Sequence, residues 1–166
     1  MDFLRFLKHI TTPGWAARRG FTKETLSEIE NAIRASEQRH DGELRFAVEA
    51  SLPLHYLVPR AIKTRQRAED LFSLLRVWDT EHNSGVLIYV QLIDRKIEIV
   101  ADRGISSKVA QLEWDAICRA MEKSFKDENF AEGALQAIAR ITELLAKHFP
   151  ARSANPNELP DTPVVL

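Results

Sequence analysis

Only one cysteine stands among the 166 residues, and that scarcity excludes more chemistry than any other feature. Cys118 alone cannot form an internal disulfide or a cysteine-cluster zinc site, and it suits a reducing compartment. Excess positive charge is also missing. The 23 lysines and arginines face 24 acidic residues, so nothing draws the chain non-specifically to phosphate backbones, and no nucleic-acid partner is expected. The longest apolar run, residues 86–90, is far shorter than the roughly 20 residues that span a bilayer. The first ten residues lack the apolar core and small-residue cleavage site of a secretory leader, so the expected location is cytoplasmic.

Several catalytic signatures are absent as well. The sequence has no GxSxG elbow, no GxxxxGK phosphate loop, no GxGxxG fingerprint and no HExxH helix, which removes the hydrolase, kinase and dinucleotide readings by those routes. The later arginine of a cysteine-phosphatase loop is missing too, because Ser124 stands six residues after Cys118. Cys118 instead shares a helical stripe with Trp114, Ile117 and Met121, which predicts a core thiol of raised pKa and little nucleophilicity.

The length suits one sizeable core. The expected organisation is an amphipathic N-terminal arm over 1–20, a domain over 21–150 and a Pro-rich flexible tail over 151–166. In the arm, Phe3, Leu4, Phe6, Leu7 and Ile10 recur at helical spacing between Arg5, Lys8 and His9, with Trp15, Arg18 and Arg19 following. Two readings stand for it: peripheral contact with an anionic membrane surface, or packing on its own domain. Thr22 reads as an N-cap, with Phe21 and Leu26 at staple positions and a helix running to about residue 40. Alternation over 44–50 predicts a half-buried strand. A second helix is predicted over 61–77, a doubly buried strand over 85–93, and a hairpin partner over 97–101 after the Asp94-Arg95 turn. A helix carrying Trp114 to Phe125 follows, and Asn129 with Glu132 suggests a capping box opening the last helix. The apolar end Val164, Val165, Leu166 is expected to dock.

This order implies an α/β fold, a three-layer α/β/α sandwich around a small mixed β-sheet. A right-handed crossover makes the first two strands parallel, and the hairpin strand returns to the rim where they begin. Three segments are thereby expected to meet: His40, Asp41 and Glu43; Asp79, Thr80, Glu81, His82 and Asn83; and Asp102. Such an oxygen-rich set suits a hard cation, calcium first and magnesium next, whereas the histidines would serve zinc or manganese. The plainer reading is a set of solvated loop charges and helix caps.

The stretch His82-Asn83-Ser84-Gly85-Val86-Leu87-Ile88-Tyr89-Val90, then Asp94-Arg95, then Ile97-Glu98-Ile99-Val100-Ala101-Asp102-Arg103-Gly104-Ile105, resembles the central hairpin of TPM domains. The resemblance extends over about residues 22–149. It implies a sheet between helices, divalent-cation binding in some members, acid phosphatase activity in the thylakoid-lumen branch, and non-enzymatic membrane-complex factors elsewhere. Position by position, Glu43 matches an acidic strand start, Asn83 and Asp102 match motif positions, and Thr80 resembles a threonine of some branches. The implied metal ligands are therefore Glu43, Thr80, Asn83 and Asp102, with calcium preferred and magnesium or manganese as substitutes. Asp79 is the nearest candidate for a catalytic base. The usual leader, membrane helix and glycine-rich tail of the family have no counterpart here, which favours a short soluble bacterial branch. Relatives of that kind imply a LemA-type membrane protein or another TPM protein as partner. The expected function is cation binding with weak phosphomonoesterase activity, or else a non-catalytic adaptor for a membrane-associated complex.

Overall fold

The computed structural model describes residues 3–57, 64–152 and 156–166. Two helices come first, α1 (Phe3–Thr11) and the single turn α2 (Ala17–Gly20). The Thr22 side chain then accepts from Thr25 N at 3.3 Å and starts α3 (Lys23–Glu37). Phe21 just before it is fully buried, as are Ile29 and Ile33 along the inner stripe of the helix.

The sheet is built from β1 (Leu44–Glu49), β2 (Val86–Gln91) and β3 (Lys96–Ala101), joined by a short β4 (Val164–Val165) in the order β3-β2-β1-β4. β1 and β2 are parallel with Leu44 opposite Val86, and β3 returns antiparallel with Ala101 opposite Val86. Arg95 takes the left-handed conformation (φ 52°) that tightens the hairpin. The connection from β1 to β2 carries α4 (Thr64–Leu74). The 61–77 helix expected from sequence begins in residues outside those described and ends earlier, where Arg76 turns the chain with φ 56°. After β3 come a single turn, α5 (Arg103–Ser106), and two long helices, α6 (Gln111–Lys126) and α7 (Phe130–His148).

Helices cover both faces of the sheet. Phe46, Val48 and Ile88 pack into one core with Ile29 of α3, Met121 of α6 and Ile138 of α7. Ala47, Leu87 and Tyr89 pack on the other face with Ala68 and Leu71 of α4. This is the three-layer α/β/α sandwich around a mixed sheet. A fully buried side chain of this size contributes about 1.5–3 kcal/mol through removal from water, so both layers matter to stability.

Three local expectations change. β1 is buried along its whole length instead of on one side, because helix α4 and the returning C-terminal segment cover its second face. Glu49 takes a bidentate pair from Arg67 of α4 (2.6 and 3.0 Å) and the hydroxyl of Tyr89. Asn129 makes no side-chain cap on α7; the Ser124 hydroxyl instead donates to the Asn129 carbonyl at 2.9 Å. Residues 156–166, expected in a flexible tail, run back over the domain, while their apolar end docks as expected, Val164 and Val165 pairing with Ala47 and Val48 of β1. Two residues of backbone pairing suffice there because Leu159 and Val164 also pack on the α4-side core.

Among the described residues no helix is long and apolar enough to cross a membrane.

Candidate functional site

The strand register sets Glu43, Gly85 and Asp102 abreast on one rim. Val86 N donates to the Glu43 carbonyl at 2.8 Å, and Asp102 N donates to the Gly85 carbonyl at 2.9 Å. Backbone topology thus brings the three segments to one end of the sheet. Their side chains then divide into two groups.

The first group surrounds Asp102. Its Oδ1 accepts from Arg103 N at 2.7 Å and starts α5. Its Oδ2 is buried and has no hydrogen-bond partner. Asn83 sits beside it in the left-handed conformation (φ 51°); its carbonyl accepts from Gly104 N at 2.9 Å, and its Oδ1 accepts from Arg103 Nε at 2.9 Å. Only glycine fits at 104, because a Cβ would overlap the carbonyl oxygens of His82 and Asn83. The Thr80 hydroxyl accepts from Ser84 N at 3.0 Å and its carbonyl from Asn83 N at 3.2 Å, which fixes the turn leading to Asn83. Asp79 lies further out, half exposed and ion-paired with Arg76.

The second group surrounds Glu43, which is 2 % exposed. Its two carboxylate oxygens accept from the Glu158 and Leu159 amides, each at 3.2 Å. Burial pushes its pKa up to about 7 against those two hydrogen bonds, with Glu158 and Asp161 adding to the rise. Nearby Glu37 is pushed up to about 9, by burial first and then by Glu43. Arg45 lies among these carboxyls with its Nε and Nη1 buried and without hydrogen-bond partners.

A backbone crossing separates the two groups. A Cβ at Gly85 would overlap the Val77 carbonyl oxygen, so the chain leaving α4 passes directly over Gly85, between Glu43 and Asp102. Those two residues stand two strand spacings apart, roughly 10 Å between Cα atoms. A hard cation holds oxygens at about 2.3–2.6 Å. Both Glu43 carboxylate oxygens are taken by the Glu158 and Leu159 amides, so of the four expected metal ligands Thr80, Asn83 and Asp102 share one locality and Glu43 belongs to the other. Among the described residues no three His, Cys, Asp or Glu side chains are arranged to hold a metal ion. The residues fit a divalent cation in part: Asp102 supplies an unpartnered anionic oxygen and its neighbours supply neutral ones, while Arg103 competes for Asn83.

The histidines have other roles. His40 is fully buried, with Nε2 2.7 Å from the Ser36 hydroxyl and Nδ1 against Gly42, and burial lowers its pKa to about 4. His82 meets Arg152, which also pairs with the Asp41 carboxylate. Glu158 in turn accepts from Glu81 N at 3.2 Å. Arg103 reaches this rim with the exit of β3, as the topology implied, whereas Arg152 and Glu158 were not foreseen there. Those two lie far along the chain from the strand ends and carry no sequence signal for it. Cys118 packs against the core and burial raises its thiol to about 12.

The TPM domain family model matches residues 18–144. Among solved structures, the BA42 protein of the psychrophilic bacterium Bizionia argentinensis is 33% identical with a TM-score of 0.75, over 86% of this chain and 93% of that one. The N-terminal domain of a P. gingivalis protein shares the fold at 17% identity and a TM-score of 0.61, over 87% of this chain and 97% of that one. No curated protein sequence matches.

Proposed function

Because this chain belongs to the TPM domain family, we propose that it is a divalent-cation-binding domain whose anionic ligand is Asp102, with Thr80 and Asn83 supplying neutral oxygens beside it. The observation that carries this reading is the buried Asp102 Oδ2, which lacks a hydrogen-bond partner. An unpaired carboxylate oxygen removed from water costs several kcal/mol, and a cation relieves that cost. Oxygen-only ligation suits calcium first, then magnesium; with the histidines engaged elsewhere, manganese ranks below both.

When bound, the cation would supply Lewis-acid polarisation of a phosphoryl oxygen. The chain's own part would be positioning. Asp102 fixes the charge, the left-handed Asn83 and the glycine at 104 hold the loop rigid, and Arg103 offers a guanidinium to an anionic substrate. Phosphomonoesterase activity on this basis is weak, since Asp79, the nearest base by position, is paired with Arg76 and half exposed. That pairing favours a second reading, a non-catalytic adaptor for a LemA-type membrane protein or another TPM protein.

Calcium titration followed by amide chemical shifts tests the first reading. Localised shifts at Thr80, Asn83 and Asp102 that vanish in Asp102→Asn are expected, and scattered shifts over surface acids would refute it. Turnover of a generic phosphomonoester that depends on both cation and Asp102 would separate the enzyme from the adaptor.

A further inference from the structure

At 100° per residue, Arg5 and His9 fall on one side of α1 and Phe3, Leu7 and Ile10 roughly 150° away around the helix, with Phe6 between the two. Surface helices normally bury the apolar side; α1 does the reverse. Arg5 grips the Asp94 carboxylate with two bonds of 2.7 Å. His9 is buried: its Nδ1 accepts from Leu52 N at 3.0 Å, so Nε2 carries the proton toward Asp94 Oδ1 at 3.2 Å. Phe6 packs on Leu52, Tyr56 and Leu57. The helix is thus docked through its polar side onto the hairpin turn, and Phe3, Leu7 and Ile10 remain 69%, 43% and 53% exposed, with Trp15 beyond them at 60%.

The hairpin that holds α1 also borders, through Arg95 and Lys96, a basic hollow of about 410 Å³ between α2, the hairpin and the α6–α7 connection. Leu92, Ile97, Phe125 and Phe130 are among its apolar lining residues, and Arg19, Arg95, Lys96 and Lys126 are its basic ones. Glu122 and Glu128 are its two acidic residues, and Lys96 pairs with Glu122 at 3.8 Å. Lys8 and Arg18 are exposed close by in the chain. Apolar side chains surrounded by cations match the boundary of a bilayer bearing anionic headgroups, where burial and charge attraction act together. A second copy fits less well, because a two-fold pairing of this face would set its cations against themselves.

We propose that this end of the molecule docks on an anionic phospholipid bilayer, with Phe3, Leu7, Ile10 and Trp15 entering the acyl boundary and the surrounding arginines and lysines meeting the headgroups. The rigid attachment of α1 through Arg5 and His9 holds the apolar face outward before the membrane is met, which lowers the ordering cost of binding.

The test is co-sedimentation of the full chain with vesicles of phosphatidylglycerol and phosphatidylcholine, against vesicles of phosphatidylcholine alone. Binding to the anionic vesicles that weakens with salt is expected. A Leu7→Glu/Ile10→Glu variant should weaken it about tenfold or more while leaving the circular dichroism unchanged, since both positions are exposed. The proposal is overturned by absence of binding, by equal binding to both vesicles, by binding that the variant leaves intact, or by vesicle-free self-association that the variant abolishes.

Discussion

Glu37 should make the protein less stable as the solution becomes alkaline, and replacing it with glutamine should remove that loss. The residue is 8 % exposed and its Oε1 accepts from Leu44 N at 3.1 Å. Burial first, and then Glu43 and Asp161, raise its pKa from 4.5 to about 9. In the unfolded chain it titrates near the ordinary value, so between pH 4.5 and about 9 the native state holds the extra proton. The stabilisation is complete below pH 4.5 and is lost as pH rises through the native pKa. Each tenfold gain in proton affinity is worth about 1.4 kcal/mol, which sets an upper bound of about 6 kcal/mol. Arg45 among the carboxyls and local entry of water reduce this to roughly 2–4 kcal/mol. Glu43, raised to about 7, adds a smaller loss that ends near neutrality. The window from pH 7 to 9 therefore isolates Glu37. Glu37→Gln keeps an acceptor for Leu44 N and a donor toward Asp161. Urea unfolding of both proteins at pH 5, 7 and 9 should give similar stabilities at pH 5 and a variant more stable by about 2–4 kcal/mol at pH 9. Parallel losses in the two proteins from pH 7 to 9 would refute the reasoning, because other groups titrating there are common to both.

Gly85→Ala should destabilise by more than about 3 kcal/mol or prevent folding, since its methyl group would overlap the Val77 carbonyl; urea unfolding measures this, and a loss under about 1 kcal/mol would show that the crossing can yield. Arg67→Met should cost about 3–5 kcal/mol by leaving the buried Glu49 carboxylate without its bidentate partner, a loss that thermal unfolding would register and that should shrink when Glu49→Gln is added.

Features governed by neighbours in the chain were legible in the sequence. Thr22 and Phe21 announce the start of α3 because a cap and its staple lie within five residues. The Asp94-Arg95 turn between two apolar runs announces the β2–β3 hairpin for the same reason. What failed depends on contacts between distant segments. The alternation of Arg45, Ala47 and Glu49 suggests a solvent face, and only the placement of α4 brings Arg67 to Glu49 and buries it. Topology led correctly to one rim for Glu43 and Asp102, but the chain crossing at Val77 was signalled only by Gly85, and a glycine does not name what lies over it. The amphipathic pattern of α1 likewise reveals two faces without revealing that Asp94 would claim the polar one.

The edge position of β4 bears on how the protein is made. β1 is complete soon after residue 49 leaves the ribosome, yet its outer hydrogen-bonding groups await residues 164–165, which arrive last among the sheet strands. Throughout that interval an apolar, unpaired strand edge is available to neighbouring nascent chains. Truncations before residue 164 would keep every long helix and still be expected to aggregate during expression.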